Sequence, residues 1–269
     1  MSCEGVVMIR RVLSALLFVM AVAACSGTGP GVGPVGPGGD VGPGDGEVDV
    51  DVDDVVGSRL VAVDERTLSG FESIVFAGEG VVTVEQGDFG LTIEADDNLL
   101  EYLEAVVIGT ELRIRTAEGV DIEPSTAPEY RVVLPALTGV ELAGAGSMST
   151  GAWEAEHFAV TLSGAGDLVV DELDATTLVV ESTGLGSITV GGSADHQHVE
   201  IDGMVDYEAS DLATVTTDLD CRGVGTAAVW VGQLLDVTVA GLCEVSYYGE
   251  PTIADEIADG GSLAGLGER

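Results

Sequence analysis

Lysine is absent from this chain, and basic side chains of any kind are few. The 269 residues include 9 arginines against 47 aspartates and glutamates, which gives a formal net charge of −38 at pH 7. Nucleic acids and anionic lipid headgroups are also negatively charged, so an acidic field of this strength opposes binding to both. The composition therefore predicts a soluble domain with no nucleic-acid partner, which attracts cations only nonspecifically.

Aromatic residues are scarce as well, at 4% of the sequence, although 46% of the residues are hydrophobic. A core built from this composition must be packed mainly with aliphatic side chains, which suits a narrow stack of strands. The apolar run at residues 12–24 is too short to span a membrane as a helix. The residues that follow position 56 are numerous enough for one domain with a sizeable core.

The first 24 residues have the pattern of a secretory signal peptide. Arg10 and Arg11 precede the apolar run, which ends in the small residues Ala23 and Ala24. A basic end, a short apolar core and small residues before a cleavage site are the features of an export signal. We therefore expect residues 1–24 to be removed from the mature protein.

The segment Val22-Ala23-Ala24-Cys25 resembles the lipobox of bacterial lipoproteins. The resemblance implies cleavage before Cys25, diacylation of its sulfur and attachment to the membrane through that lipid. A serine, not an aspartate, follows the cysteine, which in a Gram-negative cell resembles a signal for the outer membrane. The alternative is an ordinary signal peptide with a soluble, secreted product.

Residues 25–56 are expected to form a flexible tether. Residues 26–46 contain ten glycines and four prolines with no apolar period, so the segment cannot bury enough surface to offset the entropy of ordering it. Aspartates then alternate with valines from Asp49 to Asp53. This alternation suggests a calcium-binding site, but the glycine and the terminal glutamate of an EF-hand loop are missing. A solvated, self-repelling spacer is the preferred interpretation.

A Gly-x-Gly step returns about every twenty residues through the second half of the chain. Its full and partial copies are Gly144-Ala145-Gly146, Gly164-Ala165-Gly166, Gly184-Leu185-Gly186, Gly203, Gly223-Val224-Gly225, Gly241 and Gly265. A fixed period of this length is typical of a solenoid, in which each repeat buries its apolar face against its neighbours. A dinucleotide-binding loop does not fit, because it needs a third glycine followed by a helix and occurs once per domain.

Apolar and polar residues alternate around each step, so the repeat unit is a strand. One apolar column, four places before the first glycine, holds Val140, Val160, Val180, Val199, Leu219 and Val237. At a strand spacing of roughly 4.8 Å, such columns stack into continuous aliphatic ladders. The sequence therefore predicts an all-β protein, a parallel β-helix or β-solenoid with rungs of about twenty residues and glycines at its corners.

The part of the domain before the repeats has its own pattern of short strands. We expect strands near residues 60–64, 72–77, 80–85, 90–94, 105–109 and 111–116. One short helical turn is expected at about residues 97–103, with Asp97 placed to cap it. No other helix is expected.

Five segments together resemble a known bacterial family; they are residues 68–74, 82–88, 91–100, 109–114 and 137–146. The family is called putative auto-transporter adhesin, head GIN domain, and the resemblance covers residues 59–267. It implies an exported, right-handed parallel β-solenoid at residues 57–269, commonly a lipoprotein, with no established catalytic residues. Val205 and Cys243 stand where a second glycine is expected, and they are expected to deform the last corners.

Two cysteines remain once Cys3 and the lipidated Cys25 are set aside. Cys221 and Cys243 lie in inward columns of successive repeats. Because the exported protein experiences an oxidising compartment, we expect them to form a disulfide. The alternative is a pair of buried, inert thiols.

Residues with catalytic or metal-binding chemistry are sparse. His196 and His198 share the outer face of one strand, but the spacing fixes no third ligand, so no metal or other cofactor is predicted. β-Helices that cleave polysaccharides place acids with arginine or lysine on one outer face, whereas Arg222 is the only arginine between Val132 and Glu268. A non-enzymatic adhesion or interaction module is therefore preferred. A polysaccharide-binding or polysaccharide-degrading β-helix, and an envelope structural or signalling lipoprotein without an external ligand, are the alternatives.

One outward feature is a candidate contact surface. Trp230 and Tyr248 occupy the same column on adjacent repeats, so they are expected to stack on the outer surface. The preferred interpretation is that the tail at residues 251–269 covers them, through Ile253 and Ile257, as the cap that a solenoid requires. The alternative is that the pair meets a glycan or an envelope protein.

Overall fold

The computed structural model describes residues 53–258 and 260–269. The predicted signal peptide, Cys25 and nearly all of the predicted tether lie outside the described residues, so these three predictions stay predictions.

The described chain is folded almost entirely as β-strands. Before the repeats the strands are β1 (Asp53–Val56), β2 (Val61–Arg66), β3 (Ser73–Ala77), β4 (Glu79–Gln86), β5 (Gly90–Asp96), β6 (Leu103–Ile108), β7 (Glu111–Thr116), β8 (Val120–Glu123) and β9 (Glu129–Leu134). Through the repeats they are β10 (Gly139–Leu142), β11 (Ala145–Leu162), β12 (Ala165–Ser182), β13 (Leu185–Ile201), β14 (Met204–Cys221), β15 (Val224–Val239), β16 (Leu242–Tyr248), β17 (Thr252–Ile257) and β18 (Ser262–Gly265).

The repeats stack as a parallel ladder. Each of β11 to β14 covers nearly a whole turn and pairs in parallel with the next. Pairing between β11 and β12 is interrupted at Gly151 and Glu156, which divides the turn into three straight runs. The result is a β-solenoid of about six turns, which confirms the fold predicted from the Gly-x-Gly period.

The predicted aliphatic ladder lies at the centre of the solenoid. The side chains that follow Val140 in its column are 0% exposed: Val160, Val180, Val199, Leu219 and Val237. They pair directly from turn to turn. The column continues into β17 with Asp255, which pairs with Val237 and is exposed. A charge in an inward position on a last strand discourages another chain from extending the sheet.

The corner glycines let successive turns approach closely. Gly166 has a φ of +144°, a conformation that is essentially restricted to glycine. A Cβ at this position would lie closer than 3.0 Å to the carbonyl oxygen of Gly146 on the preceding turn. The same conflict recurs at Gly186 with the carbonyl of Gly166. Glycine in this column is therefore required both by the backbone angle and by the stacking.

The corner at Val205 is deformed, as its departure from the glycine pattern predicts. Val205 is buried, and its φ is not in the left-handed region. The ladder between β14 and β15 pairs Met204 and Tyr207 with the next turn but skips the two residues between them. The Asp206 carboxylate replaces part of the missing pairing, because it accepts hydrogen bonds from Thr226 N at 3.1 Å and Thr226 Oγ1 at 2.8 Å.

The region before the repeats supplies the first turn and differs from the later turns. β3 and β4 stack in parallel below β10 and β11. In contrast to the repeats, β2 with β5, β5 with β9 and β6 with β7 form antiparallel pairs. The short helical turn is a 3₁₀ turn at Leu100–Tyr102, and it has no side-chain cap. The expected capping role of Asp97 is wrong, because its carboxylate instead accepts a hydrogen bond from Ser58 Oγ at 2.5 Å.

Asp96 ties this region together from a fully buried position. Its carboxylate accepts hydrogen bonds from Ser125 Oγ at 2.7 Å, from Ser125 N at 2.7 Å and from Arg59 N at 2.7 Å. The side-chain and backbone hydrogen bonds from Ser125 are the main cause that holds the pKa of Asp96 below its usual value, and burial opposes them. One ionised carboxylate therefore joins the segment before β2 to the loop before β9.

We expect Asp96→Asn to lower the unfolding midpoint at pH 7 more than the control Asp97→Asn does. The side-chain NH₂ of asparagine is a donor, and it would face one of the backbone N–H groups that now donate to the Asp96 carboxylate. A carboxyl whose folded pKa is lowered adds stability above its unfolded pKa of about 3.9, and that contribution is lost as the pH falls toward the folded pKa. The difference in unfolding midpoint between Asp96→Asn and Asp97→Asn should therefore become smaller below about pH 4. Denaturant titrations across this pH range measure it. Equal midpoints at pH 7, or a gap that widens in acid, would contradict the assigned role.

Candidate interaction surface

Trp230 and Tyr248 lie side by side on the outer face of the C-terminal turns. They are direct partners in the parallel pairing of β15 with β16, and both side chains are half-buried. The backbone carbonyl of Trp230 accepts a hydrogen bond from Thr214 Oγ1 at 2.8 Å, and Thr214 itself is buried. The backbone at Trp230 is thus tied to the core below it.

Arg269 lies against both rings. Its guanidinium carbon is 5.9 Å from the centroid of the Trp230 ring and 5.5 Å from that of the Tyr248 ring, which is within cation–π range. The same guanidinium forms an ion pair with Asp211. Asp211 belongs to a short insertion in β14, where Ala209 pairs with Val229 and Ala213 with Trp230. The sequence reasoning missed Arg269 and Asp211, because nothing in the repeat period indicates where the tail runs.

The tail extends the solenoid through β17 and β18, and its last residue, Arg269, contacts the aromatic pair. Ile253 and Ile257 pair with Leu235 and Val239, so they continue core columns. The interpretation that these two isoleucines cover the rings is therefore wrong. The contact that the tail makes with the rings comes from Arg269, whose side chain stays 33% exposed.

The structure joins Cys221 and Cys243 through their sulfur atoms. Their Cα atoms are 6.4 Å apart, within the range that a disulfide spans. Both side chains are buried. Cys243 takes the place of the second corner glycine, but the pairing runs unbroken from Val224 with Leu242 through Gly225 with Cys243. The expected deformation at Cys243 is therefore wrong, because its buried sulfur fits the corner without a shift in register.

The histidines do not converge on a shared ligand. His196 Nδ1 contacts Thr216 Oγ1 at 2.8 Å. His198 lies between Glu200 at 3.4 Å and Asp218 at 3.3 Å. Within residues 53–258 and 260–269, no group of three or more histidine, cysteine or acidic side chains is arranged to hold a metal ion.

Arg222 is held by acidic neighbours. Its guanidinium donates to Asp220 at 2.9 Å and lies 3.5 Å from Asp202. The pairing leaves this arginine at the side of a corner, between two carboxylates.

The match to protein families identifies the chain. The family described as putative auto-transporter adhesin, head GIN domain, matches residues 70–251. This chain belongs to that family. No curated protein matches it. In the described part of the chain, no helix has the length and apolarity needed to cross a membrane.

Solved structures share the fold of this family member. One is a putative adhesin from Bacteroides fragilis, with a TM-score of 0.70, 20% identity, and coverage of 80% of this chain and 97% of that one. Another is described as a putative lipid binding protein from Parabacteroides distasonis, with a TM-score of 0.67, 20% identity, and coverage of 80% and 100%. A putative adhesin from Parabacteroides merdae has a TM-score of 0.64 at 19% identity, with coverage of 80% and 100%.

Proposed function

We propose that this protein is a non-enzymatic interaction module of the bacterial cell envelope, exported and anchored through a lipid on Cys25. In this proposal the tether at residues 25–56 separates the solenoid from an outer membrane. The solenoid then meets a glycan or an envelope protein through its outer surface. Family membership supports an adhesive role, and the signal and lipobox patterns support the anchor.

The aromatic pair carries the proposal. Trp230 and Tyr248 are registered on adjacent turns, so their backbones are separated by roughly the 4.8 Å of one rung. Flat, half-exposed aromatic rings offer large apolar area with a polar edge, which suits both sugar stacking and protein contacts. Arg269 holds them in place, and its remaining exposure leaves a donor at the edge of the surface.

We expect the double variant Trp230→Ala/Tyr248→Ala to bind its envelope partner at least about tenfold more weakly than wild type, because aromatic anchors dominate contact energies. The measurement is a binding screen of glycans and envelope proteins with the purified full chain. Tyr102→Ala removes a half-buried tyrosine from the region before the repeats and is the matched control.

A thermal unfolding scan separates binding from capping. If the rings serve only to close the solenoid, the double variant and Arg269→Gln will both lose thermal stability, and no selective loss of binding will appear. That result would overturn the proposed contact.

A further inference from the structure

An exposed apolar column runs along one corner of the solenoid. The middle residue of the Gly-x-Gly step is large and apolar on four successive turns: Leu185, Met204, Val224 and Leu242. These residues pair directly from turn to turn. They are 55%, 59%, 41% and 60% exposed. We call these four residues the corner ridge.

The corner ridge projects because its neighbours lack side chains or bury them. Leu185 lies between Gly184 and Gly186, and Val224 between Gly223 and Gly225. Met204 and Leu242 follow Gly203 and Gly241, and the side chains after them, Val205 and Cys243, are buried. The four side chains therefore project one per turn, at roughly 4.8 Å spacing. Contiguous exposed apolar surface on a soluble protein is typical of an interaction site. On a chain as acidic as this one, an apolar line four turns long stands out from its surroundings.

Acidic side chains border the corner ridge. Asp206 and Glu244 are exposed two places after Met204 and Leu242, and Asp202 is exposed two places before Met204. The cation on this border, Arg222, is already paired with Asp220 and Asp202. The ridge is therefore an apolar line with net negative flanks.

The charge selects the kind of partner. A second copy of this chain would bring like charges together along both flanks, and an anionic membrane would meet the same carboxylates. A partner with an apolar face and basic flanks complements both the ridge and its border. We propose that the corner ridge binds a basic, amphipathic polypeptide segment.

The spacing of the ridge fits a helix laid parallel to the solenoid axis. An α-helix rises about 5.4 Å per turn, against roughly 4.8 Å per rung of a parallel sheet. Over the three steps of the ridge the difference accumulates to only about 2 Å. Each ridge side chain can therefore meet about one turn of an apolar helix stripe, while lysine or arginine on the helix flanks reaches the carboxylates.

This inference rests on the proposed interaction role but not on the aromatic pair. The test uses a synthetic amphipathic helix with leucine along one face and lysine on the flanks, and a permuted peptide of the same composition without that face. The ridge variant is Leu185→Ser/Met204→Ser/Leu242→Ser. The matched control is Val63→Ser/Val106→Ser/Ile108→Ser, whose side chains are 57%, 46% and 59% exposed elsewhere on the domain.

We expect wild type and the control variant to bind the amphipathic peptide alike, and the ridge variant to bind it at least about tenfold more weakly. The permuted peptide should bind all three proteins weakly and to the same extent. Equal binding of the peptide by the ridge and control variants, or equal binding of both peptides, would overturn the inference, because attraction would then be charge alone. Ridge-dependent binding to lipid vesicles in place of the peptide would also overturn it. If the ridge and control variants bind the peptide equally while Trp230→Ala/Tyr248→Ala still loses binding to an envelope partner, the proposed function stands without the ridge.

Discussion

Gly166→Ala is expected to lower the free energy of unfolding by roughly 3–5 kcal/mol, a large loss for one methyl group. Two costs combine at this corner. A φ of +144° strains any residue that has a Cβ, and the new methyl would collide with the carbonyl oxygen of Gly146 one turn below. To relieve the collision, the turns must separate, and the hydrogen bond from Ala165 N to Gly144 O at 2.9 Å would be disturbed with them.

The matched control for this prediction is Gly151→Ala. Gly151 lies on the preceding turn within β11, its φ is outside the left-handed region, and no atom lies within 4 Å of an added Cβ. We expect the free energy of unfolding of Gly151→Ala to stay within about 1 kcal/mol of the wild-type value. Urea unfolding followed by circular dichroism measures both variants. Comparable losses for Gly151→Ala and Gly166→Ala would show that the close stacking of the corners is not what the sequence period encodes.

Breaking the link between Cys221 and Cys243 is expected to cost about 3 kcal/mol in the chain-entropy model, because it frees a loop closed over a sequence separation of 22 residues. The bridge joins the start of β16 to the end of β14. Its loss should therefore loosen β16 and the strands after it more than the turns that precede β14. Intact mass with and without reductant shows whether the bond is present in purified protein. Unfolding of oxidised and reduced wild type then measures its contribution.

The comparison with Cys221→Ala/Cys243→Ala separates the bond from the packing of the sulfurs. Reduced wild type retains both buried side chains, so it should be somewhat more stable than the double variant and clearly less stable than the oxidised protein. An oxidised protein that unfolds at the same denaturant concentration as the reduced one would contradict a stabilising role.

The repeats could be predicted from sequence because their constraints are periodic. The column that contains Val160 and Val180 must face inward on every turn, since a shift of one residue would expose it. The corner glycines repeat because the same positive φ and the same close approach to the turn below recur at Gly146, Gly166 and Gly186. The deformation at Val205 was also predictable, because a β-branched residue cannot adopt the glycine conformation there.

The region before the repeats was less predictable. The six predicted strands correspond to β2 to β7, whereas β1, β8 and β9 were not predicted. Alternation also does not determine that β2 and β9 both lie beside β5, or that both pairs are antiparallel. The supposed cap at Asp97 failed for a related reason. Its carboxylate had a partner distant in sequence, Ser58, which no local rule indicates.

The candidate surface, too, was only partly predictable from the sequence. The pairing of Trp230 with Tyr248 follows from the period, whereas the contact of Arg269 with both rings depends on the path of the tail. The corner ridge was present in the sequence as the middle residue of four successive full or partial steps, after the alanines Ala145 and Ala165 of the first two. Its outward direction could not be assigned, because a positive φ at the second glycine interrupts the simple alternation of faces.

We propose that this solenoid acts by binding and does not transform what it binds. The direct measurement is to incubate the purified full chain with a panel of polysaccharides and cell-envelope preparations, and to record retained binding and released sugar in the same reactions. We predict retention of at least one envelope component, weakened by Trp230→Ala/Tyr248→Ala, with no reducing or unsaturated sugar released. Sugar release that depends on the protein would contradict the claim.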